Sequence, residues 1–211
     1  MLKVGEIFYS IQGESTHAGR PCVFVRLAGC NLDCSYCDTR YAREGGEPLS
    51  RETIVARAAG YRCRLIEITG GEPLLQEETP ALVAALLDRG LEVLVETNGS
   101  LDISVLDPRA VRIMDLKCPA SGETGKMRWE NLERLTTLDE VKFVVSGRED
   151  YLWAKRVVEE RLPAGPAVLF SPAGARLAPA ELAAWIIGDG LEVRFQLQLQ
   201  KIIWPGTERG V

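Results

Sequence analysis

The sequence predicts an α/β protein of one domain, residues 1–211, arranged as a partial, open (β/α) barrel around a mostly parallel sheet. Short apolar or β-branched runs alternate with helix-period segments, as parallel strands joined by helical crossovers require. About seven strand candidates occur in 211 residues, whereas a closed eightfold barrel takes about 250 residues. Strands are expected over 22–28, 64–69, 91–97, 111–116, 140–145, 167–171 and 191–197. Helices are expected over 79–88, 150–161 and 179–187. The first is the clearest, with Thr79 placed to cap it, Pro80 at its first position and Gly90 beyond its end. The polar, glycine-rich stretch 43–48 reads as a flexible surface loop. In such a fold the functional residues belong at the C-terminal ends of the strands. The cysteine loop, Gly70-Gly-Glu-Pro73 and Glu96-Thr-Asn-Gly99 all follow or end predicted strands.

Composition narrows the function. With 46% hydrophobic residues the chain can bury a substantial core, and a net charge of −5 without a basic block argues against nucleic acid as a partner. No apolar run approaches the roughly 20 residues needed to span a bilayer, so no membrane partner is expected, and a soluble, cytoplasmic protein is. Of the six cysteines, Cys22, Cys63 and Cys118 stand apart and read as small buried apolar residues. The lone histidine, His17, reads as solvated or structural.

Cys30, Cys34 and Cys37 form a Cys-x3-Cys-x2-Cys run that can converge on one center. Structural zinc would need a fourth ligand, and the remaining cysteines and His17 are scattered. A [4Fe-4S] cluster can be held by three cysteines with its fourth iron open to an exogenous ligand. Leu32 and Tyr36, interleaved with the cysteines, could shield it from water. Spacing alone leaves both metals open.

The neighboring motifs discriminate. Cys30-Asn-Leu-Asp-Cys-Ser-Tyr-Cys37, with an aromatic residue before the last cysteine, resembles the signature of the radical S-adenosylmethionine (SAM) superfamily. Gly70-Gly-Glu-Pro73 resembles its second element, which receives the amino group of the bound methionine moiety. Glu6-Ile-Phe-Tyr-Ser-Ile-Gln-Gly-Glu-Ser15 and Gly19-Arg-Pro-Cys-Val-Phe-Val-Arg-Leu-Ala-Gly-Cys30 resemble the 7-carboxy-7-deazaguanine synthase family. The similarity continues through Cys37-Asp-Thr39, Thr69–Gln76, Glu96–Gly99, Asp115–Pro119 and Lys142–Ser146.

That resemblance implies a barrel of the radical SAM type and ring contraction of 6-carboxy-5,6,7,8-tetrahydropterin to 7-carboxy-7-deazaguanine with loss of ammonia, in queuosine and related 7-deazapurine biosynthesis. It implies a [4Fe-4S] cluster on Cys30, Cys34 and Cys37, SAM, a magnesium ion at Thr39, a homodimer, and an external electron donor such as flavodoxin or ferredoxin. Gln12, Gly13, Glu14, Arg26 and Thr69 match substrate-contacting positions; their chemistry suits an aminopyrimidinone edge and, through the guanidinium, a carboxylate. For Arg26 the plainer alternative is a surface ion pair. Gly71, Glu72, Asn98, Asp115, Leu116, Lys117 and Ser171 match cofactor-contacting positions, Gly70 and Gly71 permitting close backbone approach.

The C-terminal run Gln196–Pro205 resembles family ends in which a histidine often precedes the lysine, and Gln200 stands there instead. Two other readings remain: an activase that makes a glycyl radical on a partner protein, and a zinc-stabilized binding module. Anaerobic reconstitution separates the metals: about four irons per chain with a SAM-dependent spectral change are expected, and zinc without iron would contradict the cluster. Cys34→Ala is expected to abolish cluster binding.

Overall fold

The computed structural model, which describes residues 1–211, holds one nine-stranded sheet. Its strands are β1 (Leu2–Ile11), β2 (Pro21–Leu27), β3 (Glu47–Leu49), β4 (Leu65–Gly70), β5 (Glu92–Thr97), β6 (Val111–Asp115), β7 (Glu140–Val145), β8 (Ala167–Pro172) and β9 (Arg194–Phe195). They lie in the order β3-β1-β2-β4-β5-β6-β7-β8-β9, so the barrel is open, with β3 and β9 at its edges. From β2 to β9 every pairing is parallel, while β1 is antiparallel to both β2 and β3. The helices are α1 (Arg51–Ala59), α2 (Thr79–Leu87), α3 (Arg148–Glu160), α4 (Pro179–Asp189) and α5 (Leu199–Ile203).

The expected α/β architecture is present, with differences at its edges. Strand β1 was not expected, because alternation fails where a register shift between Val4 and Glu6 interrupts its pairing with β2. Part of the expected loop 43–48 enters β3, where Pro48 is tolerated because an edge strand does not need every ladder donor. The strand expected over 191–197 shrinks to Arg194–Phe195, both exposed. Helix α1 also escaped the sequence reading; Ser50 caps it by accepting from the Thr53 N–H at 3.1 Å, and Ile54, Val55 and Ala58 face inward. Thr79 does not cap α2 but donates to the Pro73 carbonyl at 2.6 Å, tying the helix start to the turn after β4.

Strand alternation creates two unlike faces. Ile66, Ile68, Val93 and Val95 pack outward against α1 and α2, and Val141, Phe143 and Val145 join the core with α3 and α4. On the inner face, Phe8, Cys22, Phe24, Leu65, Leu94 and Ile113 form an apolar plug toward the start of the parallel strands. Glu67, Thr69, Glu96, Asp115 and Lys142 follow on the same face toward their C-terminal ends and line a cavity. The sheet is thus sealed at one end and polar at the other.

A buried ion pair braces β6 and β7. Asp139, fully shielded, accepts from the Arg112 N–H, Nε and Nη2 at 2.5–3.0 Å. Replacing Asp139 by Ala leaves that guanidinium buried without its charge partner, so urea unfolding is expected to show a loss of about 3–5 kcal/mol.

Candidate active site in the barrel mouth

A cavity of about 210 Å³ opens at the C-terminal ends of the strands. The three cysteines stand on its wall with free thiols. Their loop is held from several sides. The Glu72 N–H donates to the Gly29 carbonyl at 2.8 Å and the Gly71 N–H to Leu27 at 3.2 Å. Asn98 Nδ2 donates to Asn31 at 3.0 Å, and Asn31 Nδ2 donates to Ser100 Oγ at 2.8 Å. The Ser35 N–H donates to the Ser121 carbonyl at 3.0 Å, while the Arg176 guanidinium bonds Ser35 and lies over Tyr36. The loops after β4, β5, β6 and β8 therefore share the task of shaping the cysteine loop.

The close approach explains one glycine directly. A Cβ on Gly71 would stand 2.2 Å from the Gly29 carbonyl oxygen and 2.8 Å from Cys30 Cβ. Gly71 thus lets the end of β4 nest against the cysteine loop.

A buried charge network occupies the center. Lys142 Nζ lies 2.8 Å from Glu14, 2.5 Å from Glu96 and 3.9 Å from Asp115. Burial opposes the charge of Lys142, but Glu14, Glu96 and Asp115 outweigh it and hold the ammonium well above its ordinary pKa. Burial likewise opposes ionization of Glu14, and Lys142 with Gln198 overcomes it, leaving that carboxyl below its ordinary value. Lys117 pairs with Asp115 Oδ2 at 2.7 Å, and Thr69 Oγ1 donates to Glu96 at 3.2 Å. Burial pushes Glu67 well above the carboxylate range, reinforced by the like charges of Glu96 and Glu14.

Arg26 forms an ion pair with Glu6, Nε to Oε1 at 2.8 Å, against the rings of Phe8 and Tyr41. The pair is not a surface one: the side chain is 15% exposed, lines the cavity, and its Nη atoms have no protein partner. Those nitrogens form a free fork.

Residues 196–201 complete the wall. Gln198 and Gln200 each donate to Glu14 Oε1 at 2.9 Å, and the Leu199 N–H donates to the Gly13 carbonyl at 3.0 Å. Lys201 pairs with Asp38 at 2.6 Å, which, against the effect of burial, holds that carboxyl down at about 2. A Cβ at Gly13 would collide with the Gln200 side chain. The C-terminal segment therefore closes over the Gln12–Glu14 loop.

The radical SAM superfamily matches residues 25–115 of the chain. The 7-carboxy-7-deazaguanine synthase of Chlorobaculum tepidum is 45% identical over 100% of this chain and 97% of its own length. This chain belongs to the 7-carboxy-7-deazaguanine synthase family. Its relative of that name in Koribacter versatilis is 42% identical, each chain being covered in full. The crystal structure of QueE from Escherichia coli superposes with a TM-score of 0.78 over 93% of both chains at 23% identity, a likeness of fold. Family membership makes the chain a radical SAM enzyme and replaces the activase and zinc-module alternatives.

Radical SAM membership implies a [4Fe-4S] cluster and SAM, and the residues present suit both. No three His, Cys, Asp or Glu side chains are disposed around a single ion. Three free thiols on one cavity wall suit a cubane in which each cysteine holds a different iron. Asp115 Oδ1 is buried without a partner beside the cavity, an acceptor awaiting a donor such as a ribose hydroxyl.

Of the residues singled out in the family motifs, Gln12, Gly13, Glu14, Arg26, Thr69, Gly71, Asn98, Asp115, Lys117, Thr39 and the three cysteines line this one cavity. Three do not line it. Glu72 is fully buried and accepts from Thr97 Oγ1 and the N–H groups of Asn98 and Leu74 at 2.7–3.0 Å, so it pins two strand ends together. Leu116 lies in the core with its N–H bonded to the Lys142 carbonyl, and Ser171 is buried within β8.

The cavity also contains Asp38, Glu67, Glu96, Lys142, Gln198 and Lys201, to which no role had been given. For Glu67 and Lys142 a signal was present, since a charge flanked by apolar residues in a strand points away from the core they form. Gly71→Ala is expected to displace the cysteine loop, lowering stability by about 1–3 kcal/mol in urea unfolding and reducing iron retained after reconstitution.

Proposed function

We propose that this chain converts 6-carboxy-5,6,7,8-tetrahydropterin to 7-carboxy-7-deazaguanine with loss of ammonia, a step toward queuosine and other 7-deazapurines. One observation carries the reading: the cysteine loop and the Gln12–Glu14, Arg26 and Thr69 set face a single cavity. The name of the family and its relatives points to the same product.

In this reading the free Nη fork of Arg26 takes the substrate carboxylate bidentately, its approach angle fixed by Glu6 and the flanking rings. Gln12 and Glu14 meet the aminopyrimidinone edge. Lys142 holds Glu14 and Glu96 in register, and Thr69 orients Glu96. Asn98, Asp115 and Lys117 hold SAM beside Cys30, Cys34 and Cys37. When bound together, the cluster and SAM supply the carbon-centered radical chemistry that starts rearrangement at C6 of the pterin. The protein orients the two partners, and the segment around Gln198–Lys201 excludes water from them.

Magnesium belongs to the same proposal. Thr39 Oγ1 lines the cavity and donates to Asp38 Oδ1 at 3.0 Å; that hydroxyl, beside a carboxylate whose Oδ2 is paired with Lys201, is the oxygen offered to a hard cation that also meets the substrate carboxylate. The reading further includes an external donor such as flavodoxin or ferredoxin, a homodimer and a cytoplasmic setting; no helix is long and apolar enough to cross a membrane.

The deciding experiment is an anaerobic assay of the cluster-loaded protein with 6-carboxytetrahydropterin, SAM, reductant and magnesium. Formation of 7-carboxy-7-deazaguanine is expected; its absence with a fully loaded cluster overturns the substrate assignment. Arg26→Gln is expected to weaken pterin binding by roughly tenfold or more with SAM affinity unchanged, measured by calorimetry. Thr39→Ala is expected to raise the magnesium concentration needed for half-maximal rate.

A further inference from the structure

Glu67 has no task in the roles described above. It projects from the middle of β4 on the same face as Thr69, just above the apolar plug formed by Leu65, Leu94 and Ile113. Although it lines the cavity, it is only 4% exposed. Its Oε2 accepts from Gln12 Nε2, while Gln12 Oε1 accepts from the Glu14 N–H at 3.0 Å, so the amide is oriented at both ends. Oε1 of Glu67 has no protein partner and is not among the side-chain atoms sealed from solvent without one. It is the free end of a fixed pair. Glu14, by contrast, already receives Gln198, Gln200 and Lys142.

We propose that Glu67 is a further substrate-positioning residue, its Oε1 meeting the aminopyrimidinone edge of the bound pterin from the floor of the cavity. This rests on the substrate assignment above. Chemistry at Glu67 selects the kind of contact. Facing it are Glu14 from the β1–β2 loop, Glu96 from β5, Lys142 from β7 and Cys22 from β2. Lys142 is already shared among Glu14, Glu96 and Asp115, and Cys22 is a buried thiol, so no cation forms an ion pair with Glu67. Burial and the like charges of Glu96 and Glu14 raise the pKa of Glu67 well above the ordinary carboxylate value, against the opposing effects of Gln12 and Lys142, and so favor its neutral form. Because Oε2 accepts from Gln12, the oxygen left to carry the proton of the neutral form is Oε1, the one without a protein partner. Glu67 therefore donates, and its acceptor is the ring carbonyl oxygen of the pyrimidinone. An ionized Glu67 could only accept.

The test titrates 6-carboxytetrahydropterin anaerobically into cluster-loaded wild type, Glu67→Gln and Glu67→Leu by calorimetry, over about pH 6 to 9. Glutamine keeps a carbonyl for Gln12 and an N–H for the ligand, so it is expected to rescue binding. Leucine strands the Gln12 amide and removes the donor, and is expected to weaken binding about tenfold or more. The ratio of wild-type to Glu67→Gln dissociation constants cancels titration of the ligand itself. That ratio is expected to rise with pH, because the wild-type donor is lost as pH climbs through the raised pKa whereas the amide does not titrate. Iron content and urea midpoint report whether each variant is folded; if Glu67→Leu is not, the pH series on Glu67→Gln decides. A flat ratio, or leucine binding as tightly as wild type, overturns the role of Glu67 alone. Wild-type protein that fails to bind the pterin overturns the substrate assignment and this proposal together.

Discussion

The buried ammonium of Lys142 is the interaction on which the site depends. Three carboxylates from three different chain segments, Glu14, Glu96 and Asp115, surround it. Without that cation they would repel one another in a region of low dielectric, and burial would drive their protonation. With it, Glu14 stays ionized and the β1–β2 loop is drawn over the ends of β5, β6 and β7. The same charge joins the part of the cavity assigned to substrate with the Asp115–Lys117 pair assigned to cofactor. A buried ion network of this kind is weak evidence for stability but strong evidence for geometry, since removing one partner leaves the others uncompensated.

The sheet makes such a network tolerable. Its inner face is apolar toward the start of the strands and polar only where the cavity begins, so charges sit at the edge of the core rather than inside it. The cysteine loop is supported by backbone and side-chain hydrogen bonds from the loops after four strands. Strand ends are the most rigid places on which to hang a loop. Gly71 and Glu72 show the division of labor in the second motif: the glycine removes a steric barrier to the cysteine loop, and the glutamate fastens two strands from behind.

Much of this was legible in the sequence because it depends on local pattern. Parallel strands buried on one side by helices read as apolar runs, and the interior strands were found for that reason. The cysteine spacing and Gly-Gly-Glu-Pro segment were legible because a loop must supply several groups from consecutive residues. Strands β3 and β9 were missed or misjudged because edge strands need no continuous apolar face, and β1 because the register shift between Val4 and Glu6 breaks its alternation. Glu72 and Leu116 lie next to cavity residues in sequence yet point away from it, a distinction that depends on side-chain direction. The contacts of Gln198 and Gln200 with Glu14 could not be read at all, since no local rule links residues 184 and 186 positions apart.

That separation bears on how the molecule is made. Glu14 leaves the ribosome early, and the glutamines that clamp it follow only after every strand has been synthesized. Contacts so distant in sequence carry a large loop-closure cost, which a formed sheet lowers by fixing the positions of their partners. Until residues 198–201 have been made, the barrel mouth that carries Cys30, Cys34 and Cys37 on its wall lacks this cover. Covering the substrate side is therefore a task of residues synthesized after every strand, separate from the loop that presents the thiols.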